Sequence, residues 1–173
     1  MSTDLLVEPL DSARNRRDDF TCGVASLDAY LKTQATQDVR RKANAVFVLV
    51  EAASPREVLG YFTLCAYGVA HGDVPEAARR HLPRYPLVSA TLIGRLAVAS
   101  SQQGRGLGAI LLVRALRKAY ESADVVGSSM VAVDALDARA ARFYAAHGFI
   151  QLPDSMRLVV PMRTVAKLFV AGK

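Results

Sequence analysis

The apolar positions change period several times along the chain, and each change marks an element. Leu5 to Leu10 reads as a first strand, followed by a polar, basic connection through 14–19. Leu27, Tyr30, Leu31, Ala35 and Asp38 recur at helical spacing, with Ser26 as the expected N-cap and an end near Arg40, Arg41 and Lys42. AVFVLVEA at 45–52 and EVLGYFTLCAYG at 57–68 are rich in β-formers and flank the turn Ser54-Pro55-Arg56, which predicts an antiparallel hairpin. Pro75, Pro83 and Pro86 restrict 71–88 to loop with one short helix around Glu76 to His81. PLVSATLIGRLAVA reads as a long strand with a bulge or close approach at Gly94. A helix follows from about Gly106 to Glu121, whose apolar stripe of Gly108, Leu112, Ala115, Leu116, Ala119 and Tyr120 places Gly108 on the buried face. MVAVDA at 130–135 predicts a strand and 137–147 a helix capped by Asp137. Two last β segments lie near Phe149 to Leu152 and Arg157 to Val160. An antiparallel start followed by alternating strands and helices predicts an α/β mixed sheet.

Composition narrows the class without naming a function. The chain has 173 residues, 51% hydrophobic and 22% charged, without repeat or linker, so 1–173 is expected to form a single domain. The longest apolar runs, such as Ala45 to Val50, fall well short of the roughly 20 residues that span a bilayer, and the first residues lack a basic-then-apolar leader. A cytoplasmic protein without membrane association is expected. Cys22 and Cys65, without CxxC spacing, predict free thiols with no metal role. A net charge of +6 favours anionic partners.

The segment LIGRLAVASSQQGRGLGAILLVRAL carries the clearest chemistry. A strand passes through a glycine-rich turn into a helix N-terminus, where unpartnered N–H groups and the helix dipole attract an anion and glycines permit close approach. Arg105 adds a cation; the plainer reading is a tight turn packed closely on a helix. A Walker loop is excluded, because no Lys followed by Ser or Thr occurs. GRGLGA satisfies a dinucleotide fingerprint, with Asp134 ending the next strand, but it lies too late in the chain for a doubly wound sheet.

Gln103-Gly104-Arg105-Gly106-Leu107-Gly108 matches the Q/R-x-x-G-x-G/A acyl-CoA motif, and the chain here resembles the GNAT superfamily of N-acetyltransferases. That resemblance implies acetyl-CoA as cofactor and a mostly antiparallel central sheet flanked by helices, with strands splayed at the cofactor. It also implies cofactor contacts from Leu96, Ala97, Val98 and the turn 103–108, with Leu96 and Val98 bonding through main-chain atoms. The family usually has an acidic residue after RLAV, where this chain has Ala99 and Ser100.

DALDARAARFYAAHGF resembles the second landmark of that superfamily, a helix ending in F-Y-x-x-x-G-F. Ala140, Phe143, Tyr144 and His147 share one side, and Gly148 is the expected C′ residue. Phe143 reads as a packing residue, which the resemblance places beside the cofactor. Tyr144 is expected to be catalytic: aminolysis of a thioester expels a thiolate, and a phenol with a pKa near 10 is protonated at neutral pH and can supply the proton. The alternative is that its hydroxyl only positions the cofactor. His147 reads as structural. No general base stands out, since Asp137 serves as a cap, and an α-amine next to an ester needs none.

Over almost its full length the chain resembles the TacT-like GNAT toxins of bacterial toxin-antitoxin pairs, through FTCGVASLDAYL, GYFTLCAYGV, LPRYPLVSATLIGRLAV, QGRGLG, VVGSSMVAVDALD and ARFYAAHGF followed by RLVVPM. The resemblance implies acetylation of the α-amino group of aminoacyl-tRNA, which blocks translation, a homodimer, and a ribbon-helix-helix antitoxin. RNRR at 14–17, Arg40, Arg41, Lys42, Arg79, Arg80 and Arg84 are the expected tRNA-binding cations. Two other readings stay open. One is a GNAT that acetylates a small amine, an antibiotic or a protein N-terminus; the other is a cofactor-binding module without turnover.

Overall fold

In the computed structural model, which describes residues 4–170, the chain forms β1 (Leu5–Pro9), α1 (Ala25–Ala29), a π-helical turn (Tyr30–Gln34), α2 (Ala35–Arg40), β2 (Ala45–Glu51), β3 (Gly60–Ala70), α3 (Glu76–Arg79), β4 (Leu87–Val98), α4 (Leu107–Ser122), β5 (Met130–Asp134), α5 (Ala138–Ala146), β6 (Ile150–Gln151), β7 (Arg157–Pro161) and α6 (Met162–Val170). Single 3-10 turns at His71–Asp73 and Ser100–Gln102 follow β3 and β4. The sheet has seven strands in the order β1-β2-β3-β4-β5-β7-β6. β4 and β5 pair in parallel, and the pairs β1-β2, β2-β3, β5-β7 and β6-β7 are antiparallel.

The chain divides into two compact units, Met1–Cys65 with Arg95–Ala115 and Ala66–Gly94 with Leu116–Lys173. β-branched residues of β2 (Val46, Val48, Val50) pack in the first unit with Phe20, Leu27, Tyr30, Leu31, Tyr61 and Ala97. In the second, Val74, Ala78 and Leu82 pack with Val88, Ala90, Met130, Ala132 and Val159. Among the described residues no helix is long and apolar enough to cross a membrane.

Three expectations need correction. Ser26 does not cap the first helix: Val24 holds that position without a side-chain bond, while the Asp28 carboxylate reaches back to the Cys22 N–H at 2.8 Å and the Thr21 hydroxyl at 3.2 Å. That helix also takes up an extra residue in its π-turn, where the Ala35 N–H reaches the Tyr30 carbonyl. The Tyr30 side chain is fixed from three sides there. Its hydroxyl donates to Asp38 at 2.8 Å and accepts from Asn44 at 3.2 Å, and the Arg95 guanidinium lies 3.6 Å above its ring. Finally, Gly108 is only half-buried where α4 begins, while Leu112, Ala115, Leu116 and Ala119 of its predicted stripe are buried. The helix α6, with Val165 buried, is an addition to the predicted elements.

Candidate active site

The residues expected at the cofactor lie on β4 and in the turn after it. The last β4–β5 pair is Ile93↔Val133, and β4 runs on to Val98 without a β5 partner. On its other side the Ala99 N–H donates to the Leu59 carbonyl at 2.8 Å, and the Ala97 carbonyl faces Gly60, where a Cβ would meet it at 2.8 Å. Backbone groups alternate in direction along a strand, so the polar groups of Leu96 and Val98 point to the open edge and those of Ala97 to β3. Ala97 therefore offers the edge no backbone bond, and its methyl lies in the core.

The turn holds its shape by its own residues. Gly104 and Gly106 have φ of +85° and +74°, a conformation that favours glycine, and a Cβ on either would meet nothing within 4 Å. Conformation, not crowding, selects glycine, and the space outside the loop is open. The Gln103 Nε2 donates to the carbonyls of Cys22 at 3.0 Å and Val98 at 3.1 Å. Gln103 is thus a brace for the turn, and the Val98 carbonyl is already taken, leaving its N–H. Arg105 is exposed and its guanidinium bonds the Gln102 side chain. The N–H groups of Leu107 and Gly108 open α4 without i−4 partners within it. An open backbone edge leading into a glycine turn and unpartnered helix N–H groups is the geometry that suits an extended ligand ending in a diphosphate.

The second unit carries Tyr144. The Asp137 carboxylate caps α5 by accepting from the Ala140 N–H at 2.8 Å. At the far end the Phe149 N–H bonds the Tyr144 carbonyl and the Gly148 N–H that of Ala145, a Schellman closure with Gly148 at φ +93°. Phe149 and Tyr144 pack edge to face at 5.6 Å, and Phe143, half-buried, lies 5.2 Å from the Tyr144 ring on the other side. The ring of Tyr144 is buried, burial pushes its phenol up to about 12, and the hydroxyl has no hydrogen-bond partner among the described residues. His147 is exposed and its Nδ1 lies 2.8 Å from the Phe143 carbonyl, the structural role read for it.

The fold has counterparts among known proteins. The acetyltransferase (GNAT) domain family matches residues 42–151. The chain belongs to that family. This GNAT chain is 34% identical over 150 residues to the tRNA-acetylating toxin of Mycobacterium tuberculosis, covering 86% of itself and 87% of the relative. A solved structure of AtaT complexed with acetyl-methionyl-tRNAfMet superposes with a TM-score of 0.86 at 30% identity, over 96% of this chain and 100% of that one. A tyrosine-to-phenylalanine mutant of AtaT, bound to the C-terminus of the antitoxin AtaR and acetyl-CoA, gives 0.81 at 29% identity over 96% and 99%.

The expected cations are placed separately in the two units. Arg40, Arg41 and Lys42 are exposed at the end of α2, where Lys42 adopts φ +62° as the C′ residue of a second Schellman closure. Arg14 pairs with Glu8, Arg16 with Asp19, and Arg17 donates to the Leu31 carbonyl. Asn15 between them is buried and structural, bonded to Pro55. Arg80 and Arg84 are exposed, but Arg79 donates twice to the Val74 carbonyl and holds its own loop. Sequence reasoning missed Gly60, Arg95 and the pair Asp134–Arg157. For Gly60 the signal was a glycine inside a strand pattern.

Proposed function

We propose that this chain transfers the acetyl group of acetyl-CoA to the α-amino group of aminoacyl-tRNA, and so acts as the toxin of a toxin-antitoxin pair. The observation that carries the reading is the open β4 edge at Leu96 and Val98 running into the Gln103–Gly108 turn. The relatives named for tRNA acetylation and solved with charged tRNA support the acceptor. Acetyl-CoA supplies an activated acyl group as a thioester.

In this reading the turn N–H groups and Arg105 hold the diphosphate, the free main-chain groups of Leu96 and Val98 align the arm, and Phe143 lines it. Tyr144 gives its phenolic proton to the departing thiolate as the amine bonds to the acyl carbon, and the proton lost by the amine passes to water, from which Tyr144 is restored. Its raised pKa keeps it in the acid form at neutral pH. Arg40, Arg41, Lys42, Arg80 and Arg84 contact tRNA phosphates, Arg79 by shaping its loop. Residues 1–173 act as one catalytic domain, because β3, β4 and α4 each belong in part to both units. The active form is a cytoplasmic homodimer, neutralised by an antitoxin that carries a ribbon-helix-helix domain.

Incubation with labelled acetyl-CoA and a set of charged tRNAs tests the proposal. Label on the aminoacyl group, resistant to removal of free amino acid, is expected; label on no charged tRNA alongside label on small amines or protein N-termini would replace it with the other acetyltransferase reading.

A further inference from the structure

Two stretches of the second unit carry positive charge and no carboxylate. Residues 77–88 hold Arg79, Arg80, His81 and Arg84, with Glu76 just before them, and residues 161–170 hold Arg163 and Lys167. The fold brings the two stretches together: α3 packs on β7, and α6 leaves β7 directly and packs back on it. His81 marks the meeting point. Desolvation first, and then the charges of Arg80, Arg163 and Lys167, hold its imidazole below the usual histidine value. Arg163 and Lys167 stand one turn apart on α6, while Val165 between them is buried. Arg80, Arg84, Arg163 and Lys167 are all exposed, and none has a carboxylate partner among the described residues.

Tyr85 stands out from the first of these stretches. It is 67% exposed, and its ring and hydroxyl have no partner among the described residues. Its backbone is held. Pro83 and Pro86 fix φ on either side, the Pro86 carbonyl accepts from the His71 N–H at 2.9 Å, and buried Leu82 donates its N–H to the Arg79 carbonyl at 3.0 Å. A fixed aromatic ring in water beside unpaired cations suits unpaired nucleotides, whose bases stack on the ring while their phosphates meet the guanidinium and ammonium groups. We propose that this face binds a single-stranded RNA segment, with one base on Tyr85 and the neighbouring phosphates on Arg80, Arg84, Arg163 and Lys167. In a duplex the base faces are already stacked, and an acidic peptide would use the cations and leave the tyrosine idle. Within the proposed aminoacyl-tRNA reaction, on which the inference rests for the identity of the RNA, the segment is an unpaired stretch of the tRNA.

Fluorescence anisotropy of the full chain with a single-stranded oligoribonucleotide, its abasic counterpart and a blunt duplex of the same length tests this. Tyr85→Ala is expected to weaken binding of the single strand about tenfold or more and Tyr85→Phe to leave it near wild type, with the abasic strand and the duplex insensitive to both. Arg163→Gln combined with Lys167→Gln is expected to weaken all three and to lower the slope of log affinity against log salt by about one for each cation. These side chains are exposed, so melting temperatures stay near wild type. The inference is overturned by no loss from Tyr85→Ala, or by equal losses on the single strand and its abasic counterpart. A polyglutamate peptide of equal charge that binds as tightly as the single strand also overturns it and assigns the face to an acidic protein segment. Transfer of label to charged tRNA decides the reaction separately. Labelling with RNA binding indifferent to Tyr85 leaves the acetylation reading standing, and Tyr85-dependent binding with no charged tRNA labelled removes that reading alone.

Discussion

The Gln103 Nε2 lies 3.1 Å from the carbonyl oxygen of Val98, tying the first residue of the turn to the last residue of the strand that feeds it. A second bond from the same nitrogen reaches Cys22 at 3.0 Å, so one side chain pins the turn to two backbone segments. Gln103→Ala removes both bonds. Each is worth about 1 kcal/mol, so acetyl-CoA affinity measured by calorimetry is expected to weaken by about tenfold, with kcat at saturating cofactor nearly unchanged. Equal losses in kcat and affinity would show that the side chain acts in the chemical step.

Tyr144 separates packing from chemistry. Its ring sits between Phe143 and Phe149, so Tyr144→Phe keeps these contacts, and the hydroxyl it deletes has no hydrogen-bond partner among the described residues. Acetylation is expected to fall by about 100-fold or more while thermal stability and cofactor affinity stay near wild type. Retained turnover in the variant would remove the assigned acid.

The pH dependence follows from burial. Burial favours the neutral phenol and places its pKa, about 12, above the ordinary value near 10. The stability this contributes is full below about pH 10 and is lost as pH rises toward about 12, where the unfolded chain ionises first. Over the neutral range the acid form persists, so kcat/KM on a stable aminoacyl amide should rise as the acceptor amine loses its proton. No falling limb should appear below about pH 10. A descent centred near pH 8 would assign the proton to a different group.

Gly60 has no room for a side chain. The nearest obstacle, the Ala97 carbonyl at 2.8 Å, is backbone. Gly60→Ala should cost roughly 1–3 kcal/mol in chemical denaturation and disturb β4 beside the cofactor edge. A variant as stable as wild type would mean that the Ala97 carbonyl moves aside for a methyl group at no cost.

Lys42 pays a conformational cost at φ +62° that glycine would not. Lys42→Gly is expected to stabilise the fold by about 0.5–1 kcal/mol and, if the α2 end contacts tRNA, to lower the salt dependence of tRNA binding by about one phosphate contact. Greater stability with unaltered RNA affinity would leave Lys42 outside the interface.

What was legible in the sequence was local. Asp137 as a cap, Gly148 as a C′ residue and the tight turn at Gly104 and Gly106 all follow from bonds made within a few residues, and the chain displays them directly. The misplaced and missing features depend on partners far away. At the π-turn Arg95, distant in the chain, lies over the ring of Tyr30, and the Asp134–Arg157 pair exists only because the β5–β7 register sets these residues opposite each other. Ser26 lost its capping role to Val24 because Asp28 already ties the approach to the helix through Cys22. The α6 helix carries a short signal of its own, Met162 and Val165 at helical spacing directly after Pro161.

The additional residue in the Tyr30–Gln34 turn bears on how the chain can vary. Every residue advances a helix by about 100°, so deleting one there would rotate Arg40 and Arg41 by roughly a quarter-circle about the axis while leaving their number and charge intact. A homologue lacking that residue would aim the same cationic end in another direction without a single arginine being exchanged, and where that end meets RNA, as proposed, its preference among RNA shapes would diverge.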